Sequence, residues 1–271
     1  MRESVDPTRV ALSGRCCESA RSNRMVETME ELRKGFHNEL NEVRQSLATL
    51  AASVIEAIPR ATNVLLASDL EGAEYLILTD DEIDARSLDL EDRCYRLLAL
   101  QAPVAGELRQ LVAILKMIGE IERSADLTVN IAKAARRIYG HTLDPKLRGI
   151  ISKMGDQAQQ LFSAALEAFE TEDVAKASAL DDMDSYLDGL QRQFVQAIFE
   201  CNLAGTIDLQ VAIQLAVVAR FYERIGDHAV NIGERVLYAV SGWRPELKGA
   251  ARHQARVTSD DTDGIPFPDV K

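Results

Sequence analysis

Glu122-Arg123-Ser124-Ala125-Asp126-Leu127-Thr128-Val129-Asn130-Ile131 and Glu223-Arg224-Ile225-Gly226-Asp227-His228-Ala229-Val230-Asn231-Ile232 carry one pattern twice, 101 residues apart. Upstream, Glu107-Leu108 matches Asp208-Leu209 at the same offset, and Asp81-Glu82-Ile83-Asp84 matches Asp181-Asp182-Met183-Asp184 at an offset of 100. A period this long means duplicated domains, since short-period solenoids repeat every 20 to 50 residues. The fold question therefore reduces to what one copy forms.

Between Pro59 and Pro245 only Pro103 and Pro145 interrupt stretches rich in Ala, Leu, Glu, Arg and Gln, the residues that lose least on entering a helix. No stretch alternates apolar and polar residues convincingly at period two, so an all-α fold is expected. Leu40, Val43, Leu47, Leu50, Val54 and Ile58 form one apolar face that Pro59 should kink rather than end. A second helix is expected from Ser68-Asp69 to Leu100 with Asp69 as N-cap, and a third from Pro103, placed in its first turn, to Tyr139 before Gly140. The programme then repeats as Pro145 to Glu170, Asp173 to Cys201 and Thr206 to Val240. The chain thus reads as two tandem, internally duplicated three-helix bundles, residues 29–140 and 141–242, with disordered extensions at 1–28 and 243–271. Helices of about 30 residues make each bundle roughly 45 Å long.

A formal charge of -12 argues against a nucleic-acid binder, since phosphate backbones require clustered Lys and Arg, and suits basic partners or cations. Cys16, Cys17, Cys94 and Cys201 show no CxxC spacing and read as free thiols of a reducing compartment. No apolar run of roughly 20 residues stands out, and the first 25 residues lack a secretory apolar stretch, so a cytoplasmic protein is expected.

Leu108, Leu111, Leu115 and Ile118 mark a seam whose next step is Glu122; Leu209, Ala212, Ala216 and Ala219 lead in the same way to Glu223. A carboxylate at a seam position costs several kcal/mol to desolvate without a positive partner. Glu122, Asp126 and Asn130 stand at i, i+4 and i+8, an oxygen-rich row, and Glu223, Asp227 and Asn231 repeat it. The pairs Asp81/Asp84 and Asp181/Asp184 lie on the preceding antiparallel helix of each copy and can face these rows. Such oxygen donors, without Cys or repeated His, suit hard or borderline cations such as Mg²⁺, Mn²⁺ or iron rather than zinc. His228 adjoins Asp227 but has Leu127 as its counterpart, and a lone His is more often packed than ligating. The bland alternative makes all these charges solvated helix faces paired with Arg109, Arg123 or Arg224.

The double ERxxDxxxxI pattern, each copy preceded by an acidic-Leu pair, resembles the two repeats of the PhoU family, and Leu32-Arg33-Lys34-Gly35-Phe36-His37-Asn38-Glu39-Leu40 is similar to that family's opening helix. The resemblance covers about residues 29 to 242. It implies paired three-helix bundles that bind metal through E(D)xxxD motifs. Here Glu122/Asp126, Glu223/Asp227 and Asp80/Asp84 carry the motif, while Leu180 stands where a second Asp80 is expected, leaving Asp181 and Asp184. It further implies a homodimeric, non-enzymatic adaptor that represses phosphate-starvation signalling, partnered with the ATPase subunit of the Pst phosphate transporter and a PhoR-type sensor histidine kinase. Such a protein meets the membrane only through those partners. A carboxylate-bridged di-iron oxidase or iron store is a competing class, but it uses Glu-x-x-His pairs, which neither copy has. A purely structural helical scaffold is the third.

Overall fold

Two short hinges without glycine set the topology. Ser68 and Glu172 each end a helix in the left-handed region (φ 54° and 53°), and each is followed at once by an aspartate, Asp69 or Asp173, that caps the next helix. The Asp69 carboxylate accepts the amide of Gly72 at 2.9 Å, and that of Asp173 accepts those of Ala175 and Lys176, which satisfies amide groups that a helix start leaves without partners. The chain therefore turns back on itself at the same point of both copies.

The computed structural model describes residues 7–242, with side chains from Glu31 onward except Leu32. Six helices follow in order: α1 (Pro7–Ala67), α2 (Leu70–Gln101), α3 (Gly106–Arg137), α4 (Pro145–Thr171), α5 (Val174–Leu203) and α6 (Leu209–Ser241). Helices α1–α3 form one bundle and α4–α6 the other. The bundles join through α3 against α6 and α1 against α4, leaving α2 and α5 on the outer flanks. All-α architecture, the duplication and the N-cap at Asp69 follow the sequence expectation. The helical backbone of α1 begins at Pro7, inside the segment read as an extension, while the tail from residue 243 lies outside the described residues.

Three expectations need correction. Pro103 lies in the α2–α3 loop and not in α3; Ala102 and Ala105, both with positive φ, turn the chain on either side of it, and α3 starts at Gly106. The seam of α6 is only half as expected: Ala212 and Ala219 are buried, but Leu209 is 66 % exposed and Ala216 is exposed, and Val211, Leu215, Val218, Tyr222, Ile225 and Ala229 are buried beside them. Because α6 packs against α3, α4 and α5 together, its buried face is wider than one stripe. Glu122 and Glu223 accordingly sit on the shoulder of the core, half-buried. Finally, residues 33–67 of α1 do pass the length and composition test for a bilayer span, but half of the most apolar stretch is buried among neighbouring helices.

Pro59 lies inside α1, where its missing N–H deprives the Ile55 carbonyl of its usual partner. One turn on, Thr62 Oγ1 donates to the Ile58 carbonyl and pairs with the fully buried hydroxyl of Tyr222 at 2.7 Å. Gly155 of α4 closes over this pair, since a Cβ there would overlap Thr62. Helices α1, α4 and α6 thus meet at one polar point within an apolar interface.

Candidate functional site

Helices α2 and α3 run antiparallel, so the turn carrying Asp80 and Asp84 faces the turn carrying Glu122 and Asp126. All four carboxylates feel one another. Burial first, then the charges of Asp126 and Asp84, push the Asp80 carboxyl up, with Lys133 pulling the other way. Burial, then Asp126 and Asp84, likewise raises Glu122. Asp81 stands exposed at the rim. The second bundle repeats the arrangement with a substitution of parts. Asp184 is pushed up to about 6 by burial, then by Asp188, Asp227, Asp181 and Glu223, and Asp227 is raised by burial and Glu223.

Asp188 was not among the residues expected at this site, yet it completes it. Copy one has Asp80 and Leu88 where copy two has Leu180 and Asp188, so the fourth carboxylate has moved two turns along the outer helix, from one side of Asp84/Asp184 to the other. Its signal was present as Asp184-x-x-x-Asp188, the spacing of Asp80-x-x-x-Asp84. The balancing cation has moved with it. Lys133 attends Asp80, whereas in the second copy Arg220, paired with Glu223, feels Asp188; the counterparts of these cations are Glu234 and Gly119.

Asp80 Oδ1, Asp184 Oδ1 and Glu223 Oε2 are buried acceptor oxygens without a hydrogen-bond partner. Such atoms cost free energy unless a donor or a cation meets them. Gly226 makes the room: a Cβ there would overlap the Asp184 carboxylate. The donor set, carboxylate oxygen only, fits a hard cation. Among the described residues no three His, Cys, Asp or Glu side chains already converge as a finished coordination sphere, so loading would require side-chain rotations at the solvent-facing positions.

One of the two asparagines parts from its row. Asn231 Nδ2 donates to Glu120 Oε2 at 3.1 Å, across to α3, instead of toward the acids of its own helix. The same oxygen pairs with His228 Nδ1 at 2.6 Å. Glu120 and His228 are 9 % and 7 % exposed. Burial alone would raise the Glu120 carboxyl, but the bonds from His228 and Asn231 hold it below its ordinary value. Asn130, the counterpart of Asn231, is half-buried. Sequence reading missed Glu120 because its counterpart is Phe221; the only hint was an acid two residues before the Glu-Arg pair of the first copy, absent from the second.

The description "PhoU domain" matches residues 47–135 and 151–236, one match per bundle. The chain is 33 % identical over 216 residues to the phosphate-specific transport system accessory protein PhoU homolog 1 of Mycobacterium leprae, covering 79 % of this chain and 96 % of the relative. It is 33 % identical over 215 residues to PhoU homolog 2 of Mycobacterium tuberculosis, covering 79 % of this chain and 100 % of that one. The crystal structure of PhoU from Pseudomonas aeruginosa superposes with a TM-score of 0.72 at 28 % identity, covering 77 % of this chain and all of that one. The phosphate transport system regulatory protein PhoU from Streptococcus pneumoniae gives 0.71 at 27 %, covering 77 % and 98 %. With both bundles matched and its repeated acidic pattern placed at equivalent helix pairs, this chain belongs to the PhoU family.

Proposed function

We propose that the chain is a cytoplasmic, non-enzymatic regulatory accessory protein of a phosphate transport system, acting as an adaptor that quiets phosphate-starvation signalling when phosphate is plentiful. The observation that carries this reading is the match of the chain, over 96 to 100 % of the relatives' length, to proteins named as phosphate-specific transport system accessory proteins. On this reading the long outer helices α2 and α5 present surfaces to the transporter's ATPase subunit and to a PhoR-type sensor kinase, and the protein works as a homodimer. Hard cations (Mg²⁺, Mn²⁺ or iron) are held by Asp80, Asp84, Glu122 and Asp126 in the first bundle, and by Asp184, Asp188, Glu223 and Asp227 in the second. Asp81 and Asp181 stand at the rims. The orphaned oxygens of Asp80, Asp184 and Glu223 support this assignment. A bound cation would supply the positive charge that the crowded carboxylates lack, not a reaction.

Deleting the gene tests the adaptor role. Phosphate-starvation reporter expression should rise in phosphate-rich medium and fall again on complementation. A reporter that stays silent at high phosphate would sink the reading. Co-purification from phosphate-replete cells should bring down the transporter ATPase and the kinase.

A further inference from the structure

We infer that the Glu120–His228–Asn231 junction transmits the cation state of one acidic cluster to the other, so that the two sites are thermodynamically coupled across the bundles. This rests on the reading of both clusters as cation sites. Glu120 lies two residues before Glu122 on α3, and therefore on the opposite side of that helix from the first cluster. His228 adjoins Asp227 on α6, and Asn231 lies one turn beyond it. Only one buried oxygen, Glu120 Oε2, receives both partners, at 2.6 and 3.1 Å. A cation that draws Glu122 and Asp126 toward α2 by more than their side-chain rotations supply tilts or rotates α3 as a rigid element. Any such movement displaces Glu120, and the two bonds carry the displacement to the turn of α6 that bears Asp227. Apolar contacts at the same place tolerate small sliding, whereas a buried, charge-assisted pair does not, because leaving either partner unpaired is costly.

The repeat supplies the control. Glu120 and His228 map by the 101-residue offset onto Phe221 and Leu127, so the pseudo-symmetric location of the same α3–α6 contact is apolar. Matching α1 to α4 by their equivalent hinge aspartates, Asp69 and Asp173, the offset is 173 − 69 = 104 residues, and the Thr62–Tyr222 bond then has Leu166 and Ile121 as its counterparts, also apolar. Other polar ties cross between the bundles, among them Arg44 to Glu172, Arg148 to the Leu66 carbonyl and Arg137 to Gln214, but of these and the Thr62–Tyr222 bond none lies within a turn of both clusters, as the junction does. Sites coupled through a shared two-state element affect each other's affinity reciprocally, typically by fivefold or more.

The test reads Mn²⁺ affinity at the second cluster alone, by quenching of a tryptophan placed at half-buried Gln191 (Gln191→Trp), one turn beyond Asp188 on the same face of α5, in a Trp243→Phe full-length background. Glu122→Gln with Asp126→Asn, which disables the first cluster, should shift that affinity by about fivefold or more. The same disabling change made together with Glu120→Phe and His228→Leu should shift it by less than about twofold, well below the range of genuine coupling. Circular dichroism checks that each variant is folded. Should the double replacement not fold, Glu120→Gln, which keeps the size and one acceptor oxygen but removes the charge, carries the test and should at least halve the shift. An equal shift with and without an intact junction overturns the coupling while leaving the cation sites standing. Absence of any Mn²⁺ quenching overturns the cation reading and the coupling with it.

Discussion

The two acidic clusters hold the same number of facing carboxylates but reach it by different routes, and the contrast shows what a duplicated bundle is obliged to keep. The first uses Asp80, one turn toward the end of α3 that carries Asp126, with Lys133 nearby. The second uses Asp188, one turn toward the other end, with Arg220 nearby. What persists is the charge crowding around Asp84/Glu122 and Asp184/Glu223, not the position of the fourth acid. The junction between the bundles behaves in the opposite manner: it exists once, and its counterpart is apolar.

The largest expected effect separates the junction from that counterpart. Glu120→Ala leaves buried His228 and half-buried Asn231 without their acceptor, which should cost about 3 kcal/mol. Glu120→Phe with His228→Leu, which installs the residues of the other side, should stay within roughly 1 kcal/mol of the parent. Urea unfolding of the three proteins decides this, and a double variant as unstable as Glu120→Ala would mean that the two sides are not interchangeable.

Next in size is the contribution of the displaced acid. Asp188→Ala should weaken Mn²⁺ at the second cluster by about tenfold, roughly 1.4 kcal/mol, and Asp80→Ala should do the same at the first. Unequal effects measured by calorimetry, with Asp188→Ala silent, would return the second site to the incomplete state that Leu180 alone implies.

The clusters and the junction should also answer acid with opposite sign. Asp184, at about 6 in the folded protein against 3.8 ordinarily, loses stabilisation as it ionises. Its contribution is full below pH 4 and is lost as pH rises through 6. Glu120 is held below 4.5, so its contribution is present above that value and lost as pH falls below it. In metal-free protein Asp184→Asn should therefore raise Tm at pH 7, by about 3 °C once the partial exposure of the group is discounted, and leave it unchanged near pH 4. A gain that persists at pH 4 would show that charge is not the cause.

The smallest effect expected is that of chelation on helix content. The apolar seams are continuous without a cation, so far-ultraviolet circular dichroism at room temperature should be unchanged by a chelator. Wholesale loss of helix would make the cations structural.

Much of this was legible in the sequence. The duplication, the helix ends at Asp69 and Asp173 and the Glu122/Asp126 and Glu223/Asp227 pairs needed only spacing and capping chemistry, because those are local properties. What failed was what depends on neighbours. Leu209 and Ala216 looked like core because steps of three and four remain self-consistent on either of two adjacent stripes, and only the packing of α6 against three helices selects Val211, Leu215 and Val218. Pro103 looked like a first-turn residue because its ring fits there, whereas Ala102 and Ala105 hold positive φ, which composition does not announce. Asp188 was hidden by matching the copies position by position. Glu120 was hidden because its partner is 108 residues away.

The lone junction also tells the two halves apart. Were α1–α3 to pair with a second α1–α3 through the same contact, Glu120 would lie against Leu127, a buried carboxylate facing a leucine; two copies of α4–α6 would set His228 beside Phe221. Neither self-pairing gives its polar group a partner, while first half against second half pairs Glu120 with His228. A single glutamate thus acts as a key for correct assembly: it favours first half against second half over like half against like half, although the two halves are otherwise similar enough to be mistaken for each other.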